Sequence, residues 1–202
     1  MYITVAADKG GVGKTTTAVH LAAYLQKLGP TLLIDGDTTN RSASDWAEDG
    51  GQGLPFEIAH VAEGTYKARN FEHVVIDTEA QPDKDELEQL ARGCDLLVIT
   101  TVPAGLETRA LKRTLNILQV LAADKYRVLL TKVPPPPETD GPDLRTALVQ
   151  QGIPVFATSI PRLKCFDKAA SEGVLVHAVK DRRAARAWAA YEALGKEITS
   201  HV

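Results

Sequence analysis

Short apolar, β-branched runs alternate along this chain with longer stretches of helix-forming residues. The runs predict strands at Tyr2–Ala6, Thr31–Asp35, Phe56–Val61, His73–Asp77, Asp95–Val102, Tyr126–Thr131 and Val155–Thr158. Several, such as DLLVITTV, are apolar throughout rather than at every second position, the pattern of a strand buried on both faces of a parallel sheet. Between the runs lie four stretches rich in helix formers, Thr15–Leu28, Lys84–Ala91, Leu106–Ala122 and Asp143–Gln151. A short helix is expected around Ser42–Trp46, followed by a loop marked by Gly50, Gly51 and Gly53. Such alternation predicts an α/β fold, a doubly wound, mostly parallel sheet flanked by helices and joined by right-handed crossovers. Its ligands belong at the carboxyl ends of the strands. Pro134 to Pro137, continuing to Pro142, cannot be regular helix or sheet and reads as a rigid surface connection inside one domain spanning residues 1–202.

Composition narrows the class. With 44% apolar and 5% aromatic residues, the core must be built of Val, Ile, Leu and Ala. No run approaches the roughly 20 apolar residues needed to cross a bilayer, and the opening MYITVAADKGG carries no basic leader ahead of a long apolar stretch. Two cysteines, Cys94 and Cys165, make no disulfide framework, and no Cys/His spacing suggests zinc. A cytoplasmic chain is expected. The net charge of −3 argues against a strongly basic nucleic-acid binder. Its distribution changes that picture, because residues 162–202 carry eight Lys/Arg against five Asp/Glu while the first 161 residues hold −6.

The chemistry begins directly after the first strand, at Asp8-Lys9-Gly10-Gly11-Val12-Gly13-Lys14-Thr15-Thr16. Three glycines let the backbone curl until its N–H groups converge on phosphate oxygens. The helix starting at Thr15 directs its positive end to the same point. Lys14 is expected on the β- and γ-phosphates and the Thr15 hydroxyl on magnesium. The ordinary loop, G-x-x-x-x-G-K-S/T, would have glycine where Asp8 stands. In its place the chain has K-G-G-x-G-K-T, with an additional lysine, Lys9. A glycine-rich turn with a solvated lysine is the bland alternative.

These residues resemble the deviant Walker A family of P-loop ATPases, which includes ParA-type plasmid and chromosome partition ATPases, MinD, the nitrogenase iron protein and arsenite-pump ATPases. The order of elements is similar to that of a small ParA protein without an amino-terminal DNA-binding domain. The resemblance implies ATP and Mg2+ as cofactors, held by Lys9, Gly10, Gly11, Val12, Gly13, Lys14, Thr15 and Thr16. It also implies an ATP-bound homodimer in which Lys9 reaches the partner's nucleotide, as an arginine finger does elsewhere.

The second strand ends TLLIDGDTTN, and alternation puts Asp35 and Asp37 on one side of an extended chain. The resemblance makes Asp37 the acid that orients the attacking water and counts it, with Thr15 and Asp77, among the residues at the magnesium. Thr38-Thr39-Asn40 departs from the family's usual Pro-Gln at this switch. The fourth strand, HVVIDT, ends at Asp77 like a Walker B segment, so Asp77 is expected to hold magnesium with Thr15. Glu79 is given no catalytic role. Family resemblance sets the base near Thr131-Lys132-Val133 and Ile160-Pro161-Arg162, with Pro161 as the binding residue.

In the last helix, Arg182, Arg183 and Arg186 share one side by i, i+3, i+4 spacing, with Trp188, Tyr191, Leu194 and Ile198 mostly opposite. ParA-type proteins bind DNA without sequence preference through basic residues in this region. The resemblance therefore implies nonspecific double-stranded DNA as a partner, with Lys164 and Lys168 extending the patch. Arg109, Lys112 and Arg113 form a second basic side that is expected to be merely solvated. A ParB-like or small adaptor protein on the cargo would stimulate hydrolysis, and the cargo is a plasmid, a chromosome or a protein microcompartment such as a carboxysome. Nucleoid association follows, with no membrane partner. The rivals are a MinD-like membrane-surface ATPase, for which the ending EALGKEITSHV is only weakly basic, and a metabolic ATPase of the same fold.

Overall fold

The computed structural model describes residues 1–37, 42–50, 53–103, 107–120 and 125–200, with the backbone alone at 49, 107–112 and 120. Six parallel strands form one sheet in the order β3-β2-β4-β1-β5-β6. They are β1 (Tyr2–Ala7), β2 (Thr31–Asp35), β3 (Glu57–His60), β4 (His73–Ala80), β5 (Leu96–Thr101) and β6 (Tyr126–Leu130). Among the described residues, eight α-helices flank them: α1 (Lys14–Leu25), α2 (Ser42–Asp49), α3 (Val61–Lys67), α4 (Lys84–Gly93), α5 (Glu107–Val120), α6 (Asp140–Gln150), α7 (Lys164–Ser171) and α8 (Ala184–Thr199).

Period-two alternation divides each strand between two cores, which is why these runs read as apolar throughout. Ile3, Val5, Leu33, Val75, Val98 and Leu129 pack under α1 and α8 in one cluster. Their sequence neighbours Ala6, Leu97, Ile99, Val128 and Leu130 point to the opposite face, toward α4, α5 and α6. Leu32, Ile34 and Val74 fill a third cluster near α3. The central strand β1 pairs with β4 on one side and β5 on the other. The strand order reverses there, which opens a crevice at the carboxyl end of β1 for the residues that follow it.

Several boundaries differ from the sequence reading, for local reasons. The expected strand Val155–Thr158 is a single bridge between Val155 and Val128, because Pro154 leaves no donor to extend the ladder. Val61, expected to close the third strand, instead opens α3. α6 begins at Asp140, ahead of Asp143, because Pro142 lies in its first turn, where a missing N–H costs nothing. β4 runs past Asp77 to Ala80, and α7 is an element the strand–helix pattern did not reveal. The expected helix limits Leu106 and Ala122, and Gly51, lie outside the described residues.

Candidate active site

The loop after β1 and the first turn of α1 line a cavity of about 550 Å³. Gly13 caps α1 in the left-handed conformation at φ 86°, and Gly11 takes the same region at φ 78°. A side chain at either would strain the backbone. A Cβ at Gly10 or Gly11 would meet open space, and both residues line the cavity. Thr131, just past β6, braces the loop from below, its hydroxyl donating to the Val12 carbonyl at 2.6 Å, with the Thr101 carbonyl 3.0 Å from the same oxygen.

Beneath the cradle, the Lys14 ammonium donates to Asp77 Oδ1 at 2.8 Å, and both side chains are buried. The second oxygen, Asp77 Oδ2, is buried without a hydrogen-bond partner among the described residues. Burial pushes the Asp77 carboxyl above its ordinary value, against the pull of the Lys14 ammonium and the Thr15 hydroxyl. A buried carboxylate oxygen with an open lone pair, beside a threonine hydroxyl and a glycine cradle, fits a hydrated divalent cation with a phosphate chain.

Asp35 and Asp77 are register partners on β2 and β4, so the two carboxylates arrive at the same edge of the sheet. Their neighbours give them different tasks. Asp35 Oδ2 accepts from the Ser44 N–H at 2.9 Å and the Ser44 hydroxyl at 2.7 Å, and Oδ1 from the Asp37 N–H at 3.2 Å. It therefore ties α2 and the following turn to the sheet. Asp37 lines the cavity with Lys9, Lys14 and Thr15. Gly36 makes the turn between them possible, since its N–H donates to the Asp77 carbonyl at 2.7 Å and a Cβ would lie only 2.7 Å from that oxygen. Thr38-Thr39-Asn40 lies outside the described residues.

Thus Lys9, Gly10, Gly11, Gly13, Lys14, Thr15, Thr16 and Asp37 meet on one cavity, with Val12 buried behind it and Asp77 at its base. Lys9 is exposed at the rim. Sequence reasoning missed Ser42, Asp45 and Trp46 of α2, which form a further wall. Their only linear signal was a short helix following the D-x-D strand. A second cleft of about 530 Å³ continues from Gly13 and Thr16 to Lys132, Pro161 and Arg162, the segment expected to hold the base.

The basic residues are less tidy than helical spacing implied. α8 starts at Ala184, so Arg182 precedes it and Arg183 is its cap; of the three arginines, Arg186 alone lies within the helix. Asp181 accepts from the Arg183 N–H at 2.8 Å, which turns the chain before the helix can start. Arg182, Arg183 and Arg186 are exposed. Arg183 and Arg186 line a groove with Arg162, Pro134 and Pro136. Lys168 pairs with Asp181 at 3.9 Å, and Lys164, on the same helix, stands at the wall of the second cleft. The side chains of Arg109 and Lys112 lie outside the described residues.

A left-handed glycine cradle after a central parallel strand, with a buried Lys–Asp pair below it, defines a P-loop ATPase of the ParA and MinD type. Residues 3–176 match the CobQ/CobB/MinD/ParA nucleotide binding domain, and the chain belongs to that family. It is 34% identical over 201 residues to the maintenance of carboxysome distribution protein A of Gloeobacter kilaueensis, covering 97% of this chain and 93% of that protein. Its fold is similar to the MinD cell division protein of Aquifex aeolicus (TM-score 0.74, 18% identity, 98% of this chain and 96% of that one). It is also similar to Cyanothece McdA in complex with ATP (TM-score 0.71, 16% identity, 98% and 96%). At such identities these two structures speak for the fold alone.

Proposed function

We propose that residues 1–202 form one ATP-driven positioning domain whose two nucleotide states differ in dimerisation. The observation that carries this reading is the buried Lys14–Asp77 pair under the glycine cradle, with a further lysine, Lys9, exposed at its rim. Lys14 and the N–H groups of Gly10 through Thr16 hold the phosphate chain of ATP, and Thr15 and Asp77 hold its Mg2+. Bound magnesium supplies charge neutralisation between the phosphates. Asp37 orients the attacking water beside that metal site. Pro161 flanks the base. Lys9 reaches the nucleotide of a second copy and neutralises phosphoryl charge from across the dimer.

The ATP-bound pair holds double-stranded DNA without sequence preference through Arg182, Arg183, Arg186, Lys164 and Lys168, contacts that are made to phosphate and therefore weaken with salt. Hydrolysis, stimulated by a ParB-like or small adaptor protein on the cargo, releases the DNA, so the protein works in the cytoplasm on the nucleoid. The name of the Gloeobacter relative favours a protein microcompartment of the carboxysome kind as cargo over a plasmid or chromosome. A membrane-surface role is disfavoured because Tyr191, Leu194 and Ile198 of α8 are buried in the core.

The experiment is retention of an arbitrary duplex at low salt with MgATP, with ADP and anionic liposomes as controls. Retention that requires ATP is the expected result. Equal retention with ADP, or liposome binding in place of DNA binding, would overturn the reading.

A further inference from the structure

Position 8, where the ordinary phosphate loop has glycine, carries an acid, and an acid beside a triphosphate site is electrostatically adverse. The fold turns Asp8 aside. Its carboxylate does not line the phosphate cavity, although Lys9, Gly10 and Gly11 do. Instead the Thr114 hydroxyl of α5 donates to Asp8 Oδ1, a bond that spans 106 residues of sequence. Thr114 is buried, and the Arg113 guanidinium next to it attracts the same carboxylate. Asp8 Oδ2 is buried without a hydrogen-bond partner among the described residues, a costly arrangement that a glycine would avoid.

The cost has a use in the neighbouring residue. β1 ends at Ala7, and Lys9 is followed by two glycines at which an added Cβ would meet nothing within 4 Å beyond its own chain neighbours. On the strand side of Lys9, the side chain tied to the body of the fold is that of Asp8. We propose that Asp8, hydrogen-bonded by Thr114, is a positioning residue that fixes the entry to the loop and presents Lys9 to the second copy of the chain. This rests on the reading that Lys9 acts across a dimer. It adds α5 to the elements that decide whether the dimer forms.

The test is the dimer dissociation constant of the full chain with MgATP, by sedimentation, alongside the ATP affinity of each variant. Asp8→Ala and Thr114→Val should each weaken dimerisation about tenfold, the size of one hydrogen bond lost, with ATP affinity within about twofold of wild type. The double variant should be no weaker than Asp8→Ala. Asp8→Asn, which still accepts from Thr114, should dimerise like wild type, a rescue that a general loss of fold would not give. If Asp8→Ala does not fold, Thr114→Val and Asp8→Asn carry the same comparison. Losses that multiply in the double variant, or singles that dimerise normally while Lys9→Ala does not, would overturn the positioning role alone. A Lys9→Ala protein that dimerises normally would overturn the trans-acting lysine, and the role of Asp8 with it.

Discussion

Lys14 and Asp77 are separated by 63 residues in the chain, yet their side chains meet at 2.8 Å beneath the phosphate loop. The first turn of α1 supplies the ammonium and the Walker B strand the carboxylate. The pair sets both the charge of the site and much of its local stability.

Removing one partner leaves the other buried and alone. Lys14→Met should abolish nucleotide binding and lower stability by about 3 kcal/mol, the usual scale for a broken buried pair. Adding Asp77→Asn should recover most of that stability without restoring nucleotide affinity. Thermal melts paired with ATP titration separate the two effects, and a single variant as stable as wild type would contradict the pair's role.

Lys9 should behave differently, because it is exposed at the rim rather than buried at the base. Lys9→Ala should bind ATP within a few-fold of wild type yet fail to form the ATP-dependent dimer. Analytical ultracentrifugation with a slowly hydrolysed ATP analogue reads this directly.

Asp37→Ala should retain ATP and dimerise, but turn over at least about 100-fold more slowly, the lower range for a lost group that orients or deprotonates water. The variant should accumulate as a nucleotide-bound dimer. Steady-state phosphate release at the wild-type rate would count against it.

Exchanging Arg183 and Arg186 for glutamate should cut DNA retention by 10-fold or more at low salt, by the order expected for several lost phosphate contacts. Dimerisation should be unchanged. The slope of binding against salt is the most direct readout, since each lost contact flattens it.

A pH dependence follows from His20, which is fully buried on α1 and stacked against Tyr191 at 4.7 Å. Its Nε2 accepts from the Val176 N–H at 3.0 Å, so the ring's proton sits on Nδ1 and is donated to the Thr16 carbonyl at 2.7 Å. Burial lowers its pKa from 6.5 to about 4. The unfolded chain therefore takes up a proton before the folded one does. This stability is fully present above pH 6.5 and is lost as pH falls toward 4, by about 3 kcal/mol in total. Urea midpoints of wild type should drop over that window, and those of His20→Gln should drop less.

The linear order of the chain already contained the sheet, the loop and the acids. Strands buried on both faces leave continuous apolar runs, and a phosphate cradle needs glycines, a lysine and a threonine at fixed spacing. Those constraints act within a few residues, so Lys9, Lys14, Thr15, Asp37 and Asp77 were legible as candidates from sequence. Tertiary packing decided everything that joins distant segments. Asp35 became a brace for α2 and Asp37 a wall of the cavity only because Ser44 folds back onto the first of them. Arg182 and Arg183 fell outside α8 because Asp181 turns the chain ahead of it. The bond from Thr114 to Asp8 had no sequence signature at all. Local pattern records the backbone conformation a segment must adopt. Which polar side chains find one another depends on how helices settle on the sheet, and that is fixed by the packing of the whole core.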